Sequence, residues 1–377
     1  MNQRVDKSIR IITVVTLLYV FLVSIKMMGS SFKLFGSGFA EQLIESTSNP
    51  FVGLFIGILA TGIIQSSSTT TSLVVALVGG SVIPIEFGIP IIMGANIGTS
   101  ITCVLVSLGF VTRKEDFRRA FAGATVHDFF NLCTVVVFFP LEIKFHLVQR
   151  LAFVLTDLFE GAGGVKFTSP LKTIINPAVH MIQDLLTHVM GISNLISGVI
   201  MLVVALAAMI STLIFLVKTL RTLLIGSTEI FINKYLFRND FVALILGMCI
   251  TAAVQSSSIT TSLIVPLVGA GIVTLERCYP YTLGANIGTT ITAILASLAT
   301  VSVTGDGGTA MTLGVTAAFA HLSFNIFGIL VFYPLRRIPI FFANRLASLA
   351  AESKKWAFIF VFAVFFLLPF LAILLTR

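Results

Sequence analysis

Gln65-Ser66-Ser67-Ser68-Thr69-Thr70-Thr71-Ser72 is a run of polar, uncharged residues set between two strongly apolar stretches. It returns 190 residues later as Gln255-Ser256-Ser257-Ser258-Ile259-Thr260-Thr261-Ser262. Each copy is followed at the same distance by Gly-Ala-Asn-Ile-Gly-Thr, at residues 94–99 and 284–289. Polar groups in hydrocarbon are costly unless something partners them. A duplicated polar motif inside apolar sequence therefore points to a solute path, and two copies point to one site shared by two halves.

The match reaches beyond the motif. Residues 65–102 and 255–292 are identical at 22 of 38 positions. Phe51-Val52 matches Phe241-Val242, Gly57 matches Gly247, Glu86 matches Glu276 and Pro90 matches Pro280, all at an offset of 190. The offset then becomes 194, pairing His127 with His321, Asn131 with Asn325 and Pro140 with Pro334; the extra residues fall in the loop 302–309.

Composition sets the class. The 377 residues are 56% hydrophobic and only 11% charged, with a mean hydropathy of +1.04. A soluble domain carries about 25% charged residues, so the chain reads as an all-α polytopic membrane protein embedded in a lipid bilayer. The net charge of +8 fits basic loops held on the cytoplasmic side and calls for no nucleic acid. The four cysteines show no paired or metal-ligand spacing and read as packing residues.

Stretches long enough to cross about 30 Å of hydrocarbon fall at 11–28, 87–112, 117–140, 185–217, 278–300, 311–334 and 357–376. The segments 51–80 and 241–275 differ. In each, two short apolar runs flank the serine cluster, which suits a re-entrant helical hairpin with the serines at its tip; a single kinked span with hydroxyls bonded back to its own helix is the other reading. The loop after the first Gly-Ala-Asn-Ile-Gly-Thr carries Arg113, Lys114, Arg118 and Arg119, whereas its counterpart at 301–310 has no basic residue and one acid, Asp306. Positive loops stay inside, so equivalent loops lie on opposite sides, the sign of an inverted repeat. The expected organisation is a first repeat over 1–160, an external linker over 161–184, a second repeat over 185–355, and a C-terminal transmembrane helix over 356–377. The segments 143–160 and 338–353 look amphipathic and suit the membrane surface.

Three serines at a turn between short helices offer hydroxyls and the free N–H groups of a helix start, which together make an anion site. Two such clusters facing each other could surround a tetrahedral oxyanion, with Gln65 and Gln255 orienting the tips; the alternative is that these residues only glue helices together. Gly94/Gly98 and Gly284/Gly288 bracket Asn96 and Asn286. They allow unwound backbone whose carbonyls, with Asn and Thr oxygens, suit Na⁺, and they equally permit close helix packing. No Lys or Arg lies in the apolar segments beside either motif. A divalent anion there needs cations that enter with it, which favours a cation-coupled symporter over a channel. Asp128 is the acid placed within a span; its counterpart, Leu322 or Ser323, is not acidic. It reads either as a cation ligand or as a carboxylate paired with Arg or His. His127 and His321 read as interhelical hydrogen-bonding residues, and Glu86 and Glu276 as caps of the helices that follow.

Gln-Ser-Ser-Ser with Thr-Thr-Ser after it, Gly-Ala-Asn-Ile-Gly-Thr, and Arg-Arg-Ala-Phe-Ala-Gly-Ala-Thr-Val-His-Asp-Phe-Phe-Asn (residues 118–131) together resemble the type II sodium–phosphate cotransporter family, over roughly residues 10–340. The resemblance implies inward transport of inorganic phosphate coupled to Na⁺. It implies phosphate at Gln65, Ser66, Ser67, Ser68, Gln255, Ser256, Ser257 and Ser258. It implies Na⁺ near Asn96, Thr99, Ser100, Asp128, Asn131, Asn286, Thr289, Thr290 and Asn325. An acid at the place of Asp128 goes with a third Na⁺ in electrogenic members. Animal members carry a large glycosylated, disulfide-bearing outer loop between the halves; here that region is short, without cysteines or sequons, and looks like that of a prokaryotic member of the bacterial inner membrane. Animal members also place an acid just before the Arg-Arg-Ala-Phe block, where this chain has Arg113 with Glu115 and Asp116 following. No cofactor is expected beyond Na⁺ as coupling ion, and oligomeric state stays open. The rival readings are a sodium-coupled carrier of another oxyanion or a dicarboxylate, an anion channel, and an intramembrane serine hydrolase. Against the last, the adjacent His127 and Asp128 diverge by about 100° on a helix, and duplicated serines have no purpose in it.

Overall fold

The computed structural model describes residues 2–35, 48–159, 170–235, 239–300 and 309–376. Those residues form helices and turns with no strand among them. In chain order the helices are α1 (Asn2–Leu34), α2 (Pro50–Ile64), α3 (Ser67–Gly79), α4 (Ile85–Ile97), α5 (Ile101–Ser107), α6 (Lys114–Phe145), α7 (Leu147–Phe159), α8 (Pro170–Asp184), α9 (Asn194–Tyr235), α10 (Asp240–Val254), α11 (Ser257–Gly269), α12 (Leu275–Thr300), α13 (Thr309–Phe332), α14 (Arg337–Glu352), α15 (Lys355–Phe362) and α16 (Leu368–Thr376). Among the described residues, five helical stretches are long and apolar enough to cross a bilayer: Ile12–Phe32, Lys114–Phe145, Asn194–Thr212, Leu313–Phe332 and Lys355–Thr376. The chain is thus the expected all-α polytopic membrane protein. Of the other two expected spans, 278–300 lies in the unbroken α12. The span at 87–112 is split into α4, a 3₁₀ turn at Gly98–Ser100, α5 and a second 3₁₀ turn at Leu108–Phe110. The loop 301–308 lies wholly outside the described residues; the expected linker 161–184 does so in part, and the rest of that linker is helix α8.

Both serine clusters sit where a helix stops and another starts. Asn49 caps α2 through Oδ1, which accepts from the Phe51 N–H at 3.0 Å, and Pro50 occupies the first turn, where its missing N–H costs nothing. Asn239 does the same for α10, accepting from Val242 at 2.8 Å. The chain direction follows from the contacts of α2 with α4. Gly57 lies against Ile91 and Ala95, and Gly98 lies against Ile58 and Thr61, so positions rise together and the two helices are parallel. The tight turn between α3 and α4, with Ser81 at φ 58°, reverses the chain once. It must therefore also reverse between α2 and α3, and Thr61 Oγ1 donates across that bend to Thr70 Oγ1 at 3.0 Å. The second unit repeats the arrangement: Gly247 meets Tyr281 and Ala285, Gly288 meets Met248 and Thr251, and Gly271 turns the chain at φ 73°. Glycine is required at these crossings. A β-carbon at Gly94 would lie 1.9 Å from the Leu54 carbonyl oxygen, and one at Gly284 would lie 1.8 Å from that of Leu244.

The two units interlock. α1 packs along α9; α14 lies on α6, and α7 lies on α13, so each amphipathic helix rests on the long helix of the other unit. Residues 143–145, expected in the first amphipathic segment, instead continue α6, which ends at His146 in the left-handed region. Glu142 accepts from the Val148 N–H at 2.6 Å and so caps α7. Glu86 does not cap its own helix as expected: Pro84 is the cap residue, and Glu86 Oε1 accepts from Gln149 Nε2 at 3.0 Å. Arg119 on α6 donates to the Gly269 carbonyl at the end of α11, 3.0 Å away. It thereby joins one long helix to the other hairpin.

Candidate functional site

The two tips have the same backbone. Gln65 adopts φ 60°, ψ 27° and Gln255 φ 57°, ψ 27°, while Ser66 and Ser256 are extended at φ −150° and −152°. A residue with a β-carbon loses about 1–2 kcal/mol in the left-handed region. Each glutamine offsets that by closing the helix before it. Its N–H donates to Thr61 or Thr251, both at 2.7 Å, and its Nε2 donates to the carbonyl of Gly62 or Ala252. Ser66 and Ser256 then start the return helices, with their hydroxyl oxygens accepting from Thr69 N–H at 3.2 Å and Ile259 N–H at 3.3 Å. The N–H groups of Ser67, Ser68, Ser257 and Ser258 belong to the first turns and have no carbonyl within their helices to bond.

Both tips open on one cavity of about 430 Å³, lined by 64–69 from the first hairpin, 255–259 from the second, and Ile210 and Ile214 of α9. All eight residues expected around the anion, Gln65 to Ser68 and Gln255 to Ser258, are in that lining. Among the described residues, no Lys, Arg, Asp or Glu is. The positive potential comes from two 13-residue helices that start there and from hydroxyls and N–H groups. With about 30 Å³ as a water's share of liquid, the cavity has room for an oxyanion with accompanying waters or ions.

The residues expected around Na⁺ do not line this cavity. Asn96, Asn131, Asn286 and Asn325 instead form a buried knot, none more than 2% exposed. Asn286 Nδ2 donates to Asn131 Oδ1 at 3.0 Å and to Asn325 Oδ1 at 2.9 Å. Asn131 Nδ2 donates to the Asn96 carbonyl at 2.8 Å, and Asn325 Nδ2 donates to that of Asn286 at 3.4 Å. His321 Nε2 donates to Asn96 Oδ1 at 3.1 Å, and His127 lies 3.3 Å from Asn131 Nδ2. The bonds of Asn131 to the Asn96 carbonyl and of Asn325 to that of Asn286 are counterparts, whereas Asn96 Nδ2 donates to the Ile92 carbonyl and not to Asn131; the bonds of Asn286 to Asn131 and of His321 to Asn96 join α4 and α6 to α12 and α13. Asp128, fully buried, is on α6 between His127 and Asn131. The hydroxyls of Thr99, Thr289 and Thr290 bond back to Ala95, Ala285 and Ile287 carbonyls at 3.3, 3.0 and 2.7 Å. The side chain of Ser100 lies outside the described residues.

The identical hexapeptides behave differently. After Asn96 the helix tightens into a 3₁₀ turn at Gly98–Ser100 and resumes as α5, whereas after Asn286 it stays α-helical; the expected unwinding occurs in neither copy, and only the first leaves regular α-helical geometry. At the 3₁₀ turn, Ser258 Oγ of the opposite tip donates to the Thr99 carbonyl at 3.2 Å, and Cys103 Sγ sits 3.0 Å from Thr261 Oγ1. On the other side, Thr292 Oγ1 donates to Gln255 Oε1 at 2.7 Å.

A family model described as Na+/Pi-cotransporter matches residues 20–161 and 208–373. The chain belongs to that family. It is 34% identical to human sodium-dependent phosphate transport protein 2B over 448 aligned residues, covering 96% of this chain and 64% of that protein. It is 34% identical to rat sodium-dependent phosphate transport protein 2A, covering 96% and 67%. The chain thus spans about two thirds of the length of the curated relatives it matches. No solved structure shows a significant match. Within this chain, sequence reasoning passed over Ile210, Ile214, Thr292 and Cys103. The two isoleucines carry no signal because any span is apolar. Thr292 and Cys103 lie beyond the hexapeptides but inside the repeat, where a cross-unit bond could have been sought.

Proposed function

We propose that this protein is a secondary active transporter, not an enzyme, that takes up inorganic phosphate with Na⁺ by alternating access in a bacterial plasma membrane. The observation that carries the reading is that two separately encoded Gln-Ser-Ser-Ser tips line one cavity, with no charged side chain in that lining among the described residues. Ser66 to Ser68 and Ser256 to Ser258, with the N–H groups of their helix starts, bind the oxyanion. Helix starts and hydroxyls supply only partial charges, so a dianion there stays under-neutralised. Cations bound in the same step remove the penalty. The relatives, which are sodium-dependent phosphate transport proteins, support Na⁺ and phosphate as the pair.

We place the cations around the segment 98–103 and Asp128, where Gly98–Ser100 leave regular α-helical geometry beside the second tip. The buried carboxylate adds one negative charge, which accommodates a third Na⁺ with HPO₄²⁻ and makes transport electrogenic. The asparagine knot holds the two hairpins in register. The charge difference between residues 113–119 and 301–310 supports units of opposite topology, which bring both tips to the same depth.

Uptake of radiolabelled phosphate into proteoliposomes decides the matter. An inward Na⁺ gradient should drive accumulation that a K⁺ gradient does not, with unlabelled phosphate competing better than sulfate or succinate. Equal flux in both gradients would refute symport; preferential competition by sulfate or succinate would keep symport and replace the solute.

A further inference from the structure

We propose that the junction of α6, α14 and α15 binds the headgroup phosphate of an anionic phospholipid, with Lys114 and Lys354 as its cationic partners. Lys354 lies between α14 and α15, and its Nζ stands 3.6 Å from the centroid of the Phe117 ring on α6. Lys114 is three residues before Phe117 on the same helix and shares its face, so it stands beside that ammonium. The acids at hand are engaged elsewhere: Glu115 pairs with Arg118, and Asp116 with Arg119 and Arg113. No carboxylate pairs with Lys114 or Lys354 among the described residues. Glu352, the other acid of this region, is exposed. Burial and the nearby Lys114 both lower the Lys354 ammonium from the ordinary lysine value. A phosphate between the two turns that repulsion into charge-assisted hydrogen bonds.

The surroundings select a lipid over a soluble anion. Trp356, two residues on, is 46% exposed, and α15 continues with Phe358 and Phe362 at 67% and 61%. An indole at interfacial depth above an apolar strip is where a phospholipid places its headgroup and chain. Because α14 packs on α6, a headgroup held here ties the amphipathic helix to the helix that carries Asp128 and Asn131.

Trp356 is the chain's single tryptophan, so its fluorescence reports on this junction alone. The full chain is reconstituted in phosphatidylcholine vesicles containing either brominated phosphatidylglycerol or brominated phosphatidylcholine at equal mole fraction. Brominated phosphatidylglycerol should quench Trp356 about twofold more strongly. Lys114→Gln with Lys354→Gln should bring the two lipids level, while Arg150→Gln on α7 preserves the difference. Equal quenching in the unmodified protein, or a preference that survives the double substitution, overturns the proposal. Loss of the preference on adding inorganic phosphate reassigns the junction to a soluble anion and also overturns it.

Discussion

The two hairpins are copies at their tips and diverge immediately behind them. Gln65 and Gln255 agree within a few degrees, and both tips line the same cavity. Behind the first, the helix tightens into a 3₁₀ turn at Gly98–Ser100 and the next long helix carries Asp128; behind the second, α12 is unbroken and the corresponding residues are Leu322 and Ser323. Under the proposed function, symmetry is kept where an oxyanion would be surrounded, and it is dropped where we place the cations. The side with the 3₁₀ turn is also the one whose carbonyl is taken by the opposite tip, at Thr99, so the asymmetry belongs to the contact between units and not to either unit alone.

The largest expected effect tests what the two units share. Gly94→Leu or Gly284→Leu forces side-chain atoms into a backbone carbonyl, beyond the 1–3 kcal/mol of ordinary overpacking, at roughly 4 kcal/mol or more. Both should abolish monodisperse protein on gel filtration, and tolerance of either would mean that the helix crossing is not fixed. Next comes the asymmetric residue. Asp128→Asn should cut Na⁺-driven uptake by about tenfold or more through loss of a buried charge that cations offset, and should remove the transport current at negative potential. A current undiminished per phosphate moved would take Asp128 out of the cation site.

A smaller effect tests equality at the tips. Ser67→Ala and Ser257→Ala should each raise the apparent KM for phosphate, by about tenfold at the low end for one hydrogen bond to a charged group, and by similar factors. A change in one alone would make the cavity one-sided. The smallest is Thr292→Val, which removes the donor to Gln255 Oε1. With a net hydrogen-bond contribution of about 1 kcal/mol, it should lower thermal stability by a few degrees and leave the KM within about twofold.

Much of this comparison was readable in the chain before any coordinates. An apolar sequence with 11% charge dictates helices in a bilayer, and the spacing of serines between short apolar runs implies a bend at Gln65 and Gln255. The repeat itself implies that both tips face alike. What could not be read is which copy leaves the α-helix. Residues 94–99 and 284–289 are identical, yet only the first runs into a 3₁₀ turn, at the place where Ser258 donates to the Thr99 oxygen. Nor could the asparagines be apportioned. Their amides suit Na⁺ or one another equally well, and the four prove to be bonded together. Ile210 and Ile214 line the cavity from an apolar stretch of α9 that lies outside the repeated motifs.

The central claim is that two tips build one anion site that requires Na⁺. Equilibrium binding of radiolabelled phosphate to the purified protein, with Na⁺ or with K⁺, tests it most directly. The account predicts one phosphate per chain in Na⁺, weakened alike by Ser67→Ala and by Ser257→Ala, and little binding in K⁺. Two phosphates per chain, or one site lost with Ser67→Ala while another remains intact, would contradict it.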